Sequence, residues 1–235
     1  MTARRRATGF LIGFSIAAAL LFAGLVSLGV WQIQRLHWKR ALIHQVETRI
    51  HAPARPAPSS AGSDDAYLRV TARGTFLNDR AALVQASTVR GLGYWVMTPL
   101  RTDGGFTLIV NRGFVPSEER SSYARPGGVV RVTGLLRLTE PGGGFLRAND
   151  PGGGRWYSRD VEAIARAKSL PAPVANYFVD QDQAVPPNGF PVGGLTVVRF
   201  PNNHLPYAIT WFALAAMVAG AYIVVMRHEW KARHA

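Results

Sequence analysis

The chain of 235 residues contains no cysteine. That excludes disulfide staples, covalent haem attachment through C-x-x-C-H and thiol-based metal delivery, so a folded domain must be held by its own core. Histidine is absent from one long stretch. All six histidines lie at or before His51, or at or after His204, and residues 52–203 have none. A Ser-His-Asp triad, a Cys-His pair or a His-ligated zinc is therefore impossible within that stretch. The same stretch has 16 Arg but a single Lys, a skew that a GC-rich genome produces without functional cause. Neither Gly-rich loop, 141–144 or 151–154, is followed by Gly-Lys-Ser/Thr, so both read as connections rather than nucleotide cradles. The carboxylate pairs Asp180/Asp182 and Glu118/Glu119 have no evident partner set and read as solvated.

Charge is nearly missing from two runs, 9–31 and 205–226, each about 22 residues against the roughly 20 needed to cross a bilayer core. Both read as transmembrane helices. For the first, a cleaved signal peptide is the alternative, but its apolar region exceeds the roughly 7 to 15 residues of such peptides and no small-x-small cleavage site follows. Arg4, Arg5 and Arg6 precede the first run, and Arg227, Lys231 and Arg233 follow the second, which places both termini in the cytoplasm. Arg35, Lys39 and Arg40 oppose this, but they flank a loop too long to obey the charge rule. The expected order is a cytoplasmic N-terminus (1–8), a first span (9–31), a helical extension (32–51), a linker (52–66), an extracytoplasmic domain (67–204), a second span (205–226) and a cytoplasmic tail (227–235).

The formal charge of +13 belongs mostly to the flanks, since residues 52–203 hold 17 basic and 12 acidic residues. Topology and attraction to anionic lipid explain the excess. No aromatic-basic stripe marks a nucleic-acid surface.

From Tyr67 the period changes to two: Leu68, Val70 and Ala72 alternate with Arg69, Thr71 and Arg73. Further strands are expected at 81–85, 94–100, 106–110, 129–138, 177–179 and 194–198, with hairpin chemistry at 102–105. A short helix is expected over 160–168, capped by Asp160. The fold class is a membrane protein, two transmembrane helices flanking an antiparallel β-rich sandwich or partial barrel.

Two stretches frame the spans. Trp31, Arg35 and Trp38 leave the first, with indoles at headgroup depth and a guanidinium one turn from Trp31. His37, His44 and His51 recur every seven residues, about 10.5 Å apart on a helix, too far to share one metal. At the second span Pro206 places the helix start nearby, with His204 at its mouth and Tyr207 and Trp211 on roughly the same face. Between the spans, Arg112 followed by Gly113 suggests a backbone needing positive φ or close approach. The guanidinium is then either a structural partner of a carboxylate or carbonyl, or a contact for a propionate or a partner's carboxylate.

Four segments together resemble the SURF1 (Shy1) family of cytochrome c oxidase assembly factors, here of bacterial type. They are Leu28, Gly29, Trp31, Gln32, Arg35, Trp38 and Lys39 leaving the first span; Gly93 to Leu100, ending in Thr98, Pro99 and Leu100; Val110, Asn111, Arg112, Gly113, Phe114, Val115 and Pro116; and Asn202, Asn203, His204, Tyr207, Ala208, Thr210, Trp211 and Phe212 at the second span. A weaker aromatic-Asp element occupies 156–160. The resemblance implies a non-enzymatic role in building the oxidase in a bacterial inner membrane, with non-covalent haem a supplied to or held for the core subunit. It implies His204 as iron ligand with Tyr207 and Trp211 beside it, and haem a synthase and membrane lipid as further partners. The alternative is a scaffold that stabilises oxidase subunits without touching haem; His204 could equally cap its helix.

Overall fold

The computed structural model describes residues 8–144, 147–182, 189–196 and 200–234. The chain divides into two compact units, one made of Met1–Gln45 with Arg199–Ala235 and one of Val46–Val198.

In the first unit, α1 (Thr8–His51) and α3 (His204–His234) are both long and apolar enough to cross a membrane. The expected first span and its extension form one continuous helix, about 66 Å long at the helical rise. The two helices run antiparallel. Ser15 Oγ meets Tyr222 Oη at 3.0 Å near one end, and His204 meets Gln32 at the other. The Phe14 ring also stacks on Tyr222 at 5.9 Å, and between the two ends Gly29 faces the Phe212 ring. A Cβ at Gly29 would fall 2.7 Å from the Phe212 ring, so glycine sets the closest approach.

The second unit is a β-barrel with flanking strands. The strands are β1 (Arg55–Pro56), β2 (Arg69–Phe76), β3 (Ala82–Thr88), β4 (Gly91–Thr102), β5 (Thr107–Pro116), β6 (Val129–Leu138) and β7 (Val174–Gln181). Their order is β1-β2-β6-β7-β5-β4-β3, and a further β2–β4 pairing closes β2, β6, β7, β5 and β4 into a five-stranded ring. Pairing is antiparallel except for β1–β2 and β5–β7, because β7 fills the place between β6 and β5 that the chain had stepped over. The expected hairpin joins β4 to β5, with Thr102 N–H donating to Phe106 O and Gly105 at φ +82°.

Every barrel strand contributes to the interior, which includes Val70, Leu100, Leu108, Val110, Val132, Leu136, Tyr177 and Val179. Full burial of each aliphatic side chain contributes about 1.5–3 kcal/mol. Intervening residues on β5 and β7, Ile109 and Phe178, face outward yet are also buried, against Trp156 and α2 (Val161–Ala167). This second layer leaves β5 buried on both faces. Asp160 caps α2 as expected, accepting from Ala163 N–H at 3.0 Å.

Two expectations need correction. Residues 194–196 are not a strand, and 197 and 198 lie outside the described residues. The Pro/Ala/Ser tract expected as a free linker is docked. Its β1 pairs with β2, Ala57 and Ala61 pack on the core, and Asn176 brackets Ala61 through both its N–H and its carbonyl. Tyr177 donates to Pro58 O at 2.6 Å, and burial holds the phenol well above its ordinary pKa, so the proton stays. Small residues with few side-chain groups pack there because the barrel supplies the partners.

Closure depends on Gly74, where a Cβ would lie 2.1 Å from Arg101 O on β4. Gly74→Val is expected to lower stability by about 1–3 kcal/mol, read as a fall of several degrees in the thermal midpoint of the detergent-solubilised chain. Gly127→Ala, where a Cβ meets nothing within 4 Å, is the control and leaves the midpoint unchanged.

Candidate functional site

The residues singled out in the sequence fall into both units. In the helical unit, His204 opens α3 and is half-buried, and its Nδ1 lies 2.8 Å from Gln32 Oε1. Gln32 is 9% exposed, low for an amide on a helix this apolar. An amide oxygen accepts, so this pairing puts a proton on Nδ1, and in the neutral ring Nε2 is then the nitrogen that carries the lone pair. Nε2 makes no hydrogen bond among the described residues. Trp211 shares the stripe of His204 and is half-buried, whereas Tyr207 is 56% exposed. Asn203 is tied to the helix start by its carbonyl, which accepts from Tyr207 N–H.

Arg35 sits 4.5 Å from the centroid of Trp38, so the cation–π contact expected one turn back at Trp31 is made one turn onward instead. Trp31 is half-exposed. A three-residue step along a helix serves this contact as well as a four-residue one, and sequence spacing alone could not choose.

In the barrel unit, Asn111 and Gly113 act together. Asn111 Nδ2 donates to Asp180 Oδ1 at 2.7 Å, and its carbonyl accepts from Gly113 N–H at 3.2 Å. Gly113 has φ +127°, and a Cβ there would lie 2.1 Å from Val192 O. Both reasons anticipated for glycine hold. Arg112 is 6% exposed and donates to Ala124 O at 2.8 Å, with its guanidinium 5.1 Å from the centre of Phe76. It makes no ion pair among the described residues. Burial lowers its pKa from the ordinary value, while Tyr123 pulls the other way. A carbonyl and an aromatic face therefore hold it in this structure.

Asp180, expected to be solvated, is 3% exposed and saturated with donors. Besides Asn111 it accepts from Arg137 at 2.9 Å, Thr196 at 2.8 Å and Arg159 at 3.3 Å. Glu140 completes the set with two bonds from Arg159, at 2.9 and 2.6 Å. Two carboxylates thus face two guanidiniums. Tyr67 and Phe178 cover the guanidiniums, with their ring centres 5.1 Å from Arg137 and 4.8 Å from Arg159. The cluster floors a cleft of about 530 Å³ with Trp95 on its wall. With donors from Asn111, Arg137, Arg159 and Thr196, Asp180 ties β5, β6 and β7 together. Asp182 behaves differently, pairing with Arg69 at 2.5 Å while half-exposed.

Fold and site define the class as a two-span membrane protein, with one histidine held on the seam of its helix pair and a barrel locked by an internal charge cluster. The chain belongs to the SURF1 family, whose sequence profile matches residues 19–216 and so takes in both Gln32 and His204. Relatives include a SURF1-like protein of Monosiga brevicollis, 34% identical over 230 residues that cover 89% of this chain and 87% of that one. Surfeit locus protein 1 of Homo sapiens is 34% identical over 215 residues, covering 80% and 69%. A SURF1-like protein of Caenorhabditis briggsae is 30% identical over 217 residues, covering 80% and 67%.

Removing Asp180 leaves the largely buried guanidiniums of Arg137 and Arg159 with the half-exposed Glu140 as their one remaining counter-charge among the described residues. Asp180→Ala is expected to cost about 3–5 kcal/mol, whereas Asp103→Ala, which breaks the exposed pair with Arg73, costs at most about 1 kcal/mol. Thermal unfolding of the two variants side by side checks the contrast.

Proposed function

We propose that the chain is a non-enzymatic assembly factor for cytochrome c oxidase and that it holds haem a at His204 for the oxidase core subunit. The observation that carries this reading is the Gln32–His204 pair. A neutral imidazole whose Nδ1 proton is engaged presents Nε2 in one orientation, the arrangement in which a histidine serves best as a metal ligand. The residues present therefore fit an iron porphyrin. The haem would supply the iron that accepts the Nε2 lone pair. Gln32 fixes the ring and its tautomer, and Trp211 and Tyr207 offer aromatic surface beside it. An amide buried on an apolar helix solely to meet one histidine also favours a functional pair over a plain helix cap.

The antiparallel helix pair supports an arrangement with both termini on one side, and the basic flanks favour the cytoplasm. The proposed setting is a bacterial inner membrane with the barrel in the periplasm. Haem a synthase is the proposed donor, and anionic lipid meets the flanks.

The second reading is a haem-independent scaffold, in which the Gln32–His204 pair only fastens the helices. Chain purified from cells making haem a is expected to carry a haem absorption spectrum that His204→Ala abolishes. Gln32→Ala is expected to weaken haem retention about tenfold or more, as loss of such a supporting contact does at other metal sites. Cofactor-free wild-type chain that still co-purifies with the core subunit would instead establish the scaffold.

A further inference from the structure

The helix seam that carries Gln32 and His204 does not close along its whole length. At Gly29 and Phe212 the helices touch. Beyond that contact, Ala18, Ala19 and Phe22 face Val218 and Ala219 across a cleft of about 390 Å³, and Ser15 and Tyr222 close its far end. Their hydroxyls lie 3.0 Å apart, and the Phe14 ring stacks on Tyr222 at 5.9 Å. Both hydroxyls are thereby engaged, so the lining offers apolar surface and no free polar group of its own. The space exists because three alanines stand where larger residues would fill the seam.

Val218 and Ala219 are 14 and 15 residues along α3 from His204, about 21 Å at the helical rise. Tyr222, 18 residues on, returns to the angular position of His204 after five full turns. The cleft is thus on the same stripe as the histidine, separated from it by the length of the seam. An apolar pocket of this size between two helices suits a flexible hydrocarbon chain.

We propose that this cleft receives the isoprenoid tail of a haem whose iron is held at His204. The inference rests on the haem reading above and extends it. It assigns Ala18, Ala19, Val218 and Ala219 as the residues that distinguish a tailed haem from one without a tail. A macrocycle bound at one end of the seam and bearing three isoprene units on its edge would lay them along this stripe, past the Gly29–Phe212 contact and into the cleft. A haem with a short vinyl group at that position has nothing to place in it.

The test compares haem a with haem b, titrated by absorption into the full-length chain in detergent. Wild type is expected to bind haem a at least about tenfold more tightly, the ratio that burying a few methylene groups provides. Ala219→Phe, which fills the cleft, is expected to bring haem a down to the affinity of haem b while leaving haem b binding and its spectrum unchanged. Ala18→Leu on the opposite wall is the milder variant, and is expected to reduce the preference in the same direction. Farnesol is expected to compete with haem a and not with haem b. Equal affinity of wild type for the two haems overturns the tail assignment and leaves His204 as ligand, as does a preference that survives both variants. If phosphatidylglycerol removes the preference and farnesol does not, the cleft is a lipid site and the proposal falls. Failure to bind either haem overturns the haem reading, and this inference with it.

Discussion

A carboxylate buried among strands must find donors, and Asp180 finds four. Much of the barrel unit depends on this constraint. Asn111 reaches it from β5, Arg137 from β6 and Arg159 from the segment that leads into α2, so one oxygen pair fixes the relative positions of three separately formed elements. The apolar interior could tolerate some sliding of strands, since aliphatic contacts have little directionality. Hydrogen bonds to a buried charge cannot, because each lost donor leaves the carboxylate less compensated. The cluster therefore sets register where the hydrophobic layers only set proximity.

The helical unit reaches uniqueness by different means. In a membrane, apolar surface gives little reason for two helices to prefer each other over lipid, and close packing with a few polar contacts decides the pairing. Gly29 permits the approach, Ser15 with Tyr222 marks one end, and Gln32 with His204 marks the other. The polar contacts at both ends specify the alignment, and the alanine stretch between them is left loosely filled.

Much of this was legible in the sequence. The spans, the alternation of β2, the hairpin after β4, the cap at Asp160 and the need for glycine at 113 each follow from a local pattern. β5 and β7 were foreseen only in part, since burial on both faces erases the period of two that identifies a strand. The Pro/Ala/Ser tract looked free because its partners, Asn176 and Tyr177, come from more than a hundred residues away. Asp180 was misread for the same reason: its two arginines sit on segments whose proximity only the barrel topology creates. Gln32 was present in the family pattern without a role. Its partner lies 172 residues on, and no spacing rule connects them.

That separation bears on when the molecule becomes complete during its synthesis. The barrel unit has its own interior and its own internal lock, all contributed by residues before 199, and domains generally fold as units in the order of their synthesis. The Gln32–His204 pair cannot form until α3 has been made, and α1 must wait with an unmatched amide in the meantime. A chain cut short before 204 would keep its barrel and lack the histidine seam. α3 thus acts as a late check on the chain, because the pair joins α1 to a helix made 172 residues later.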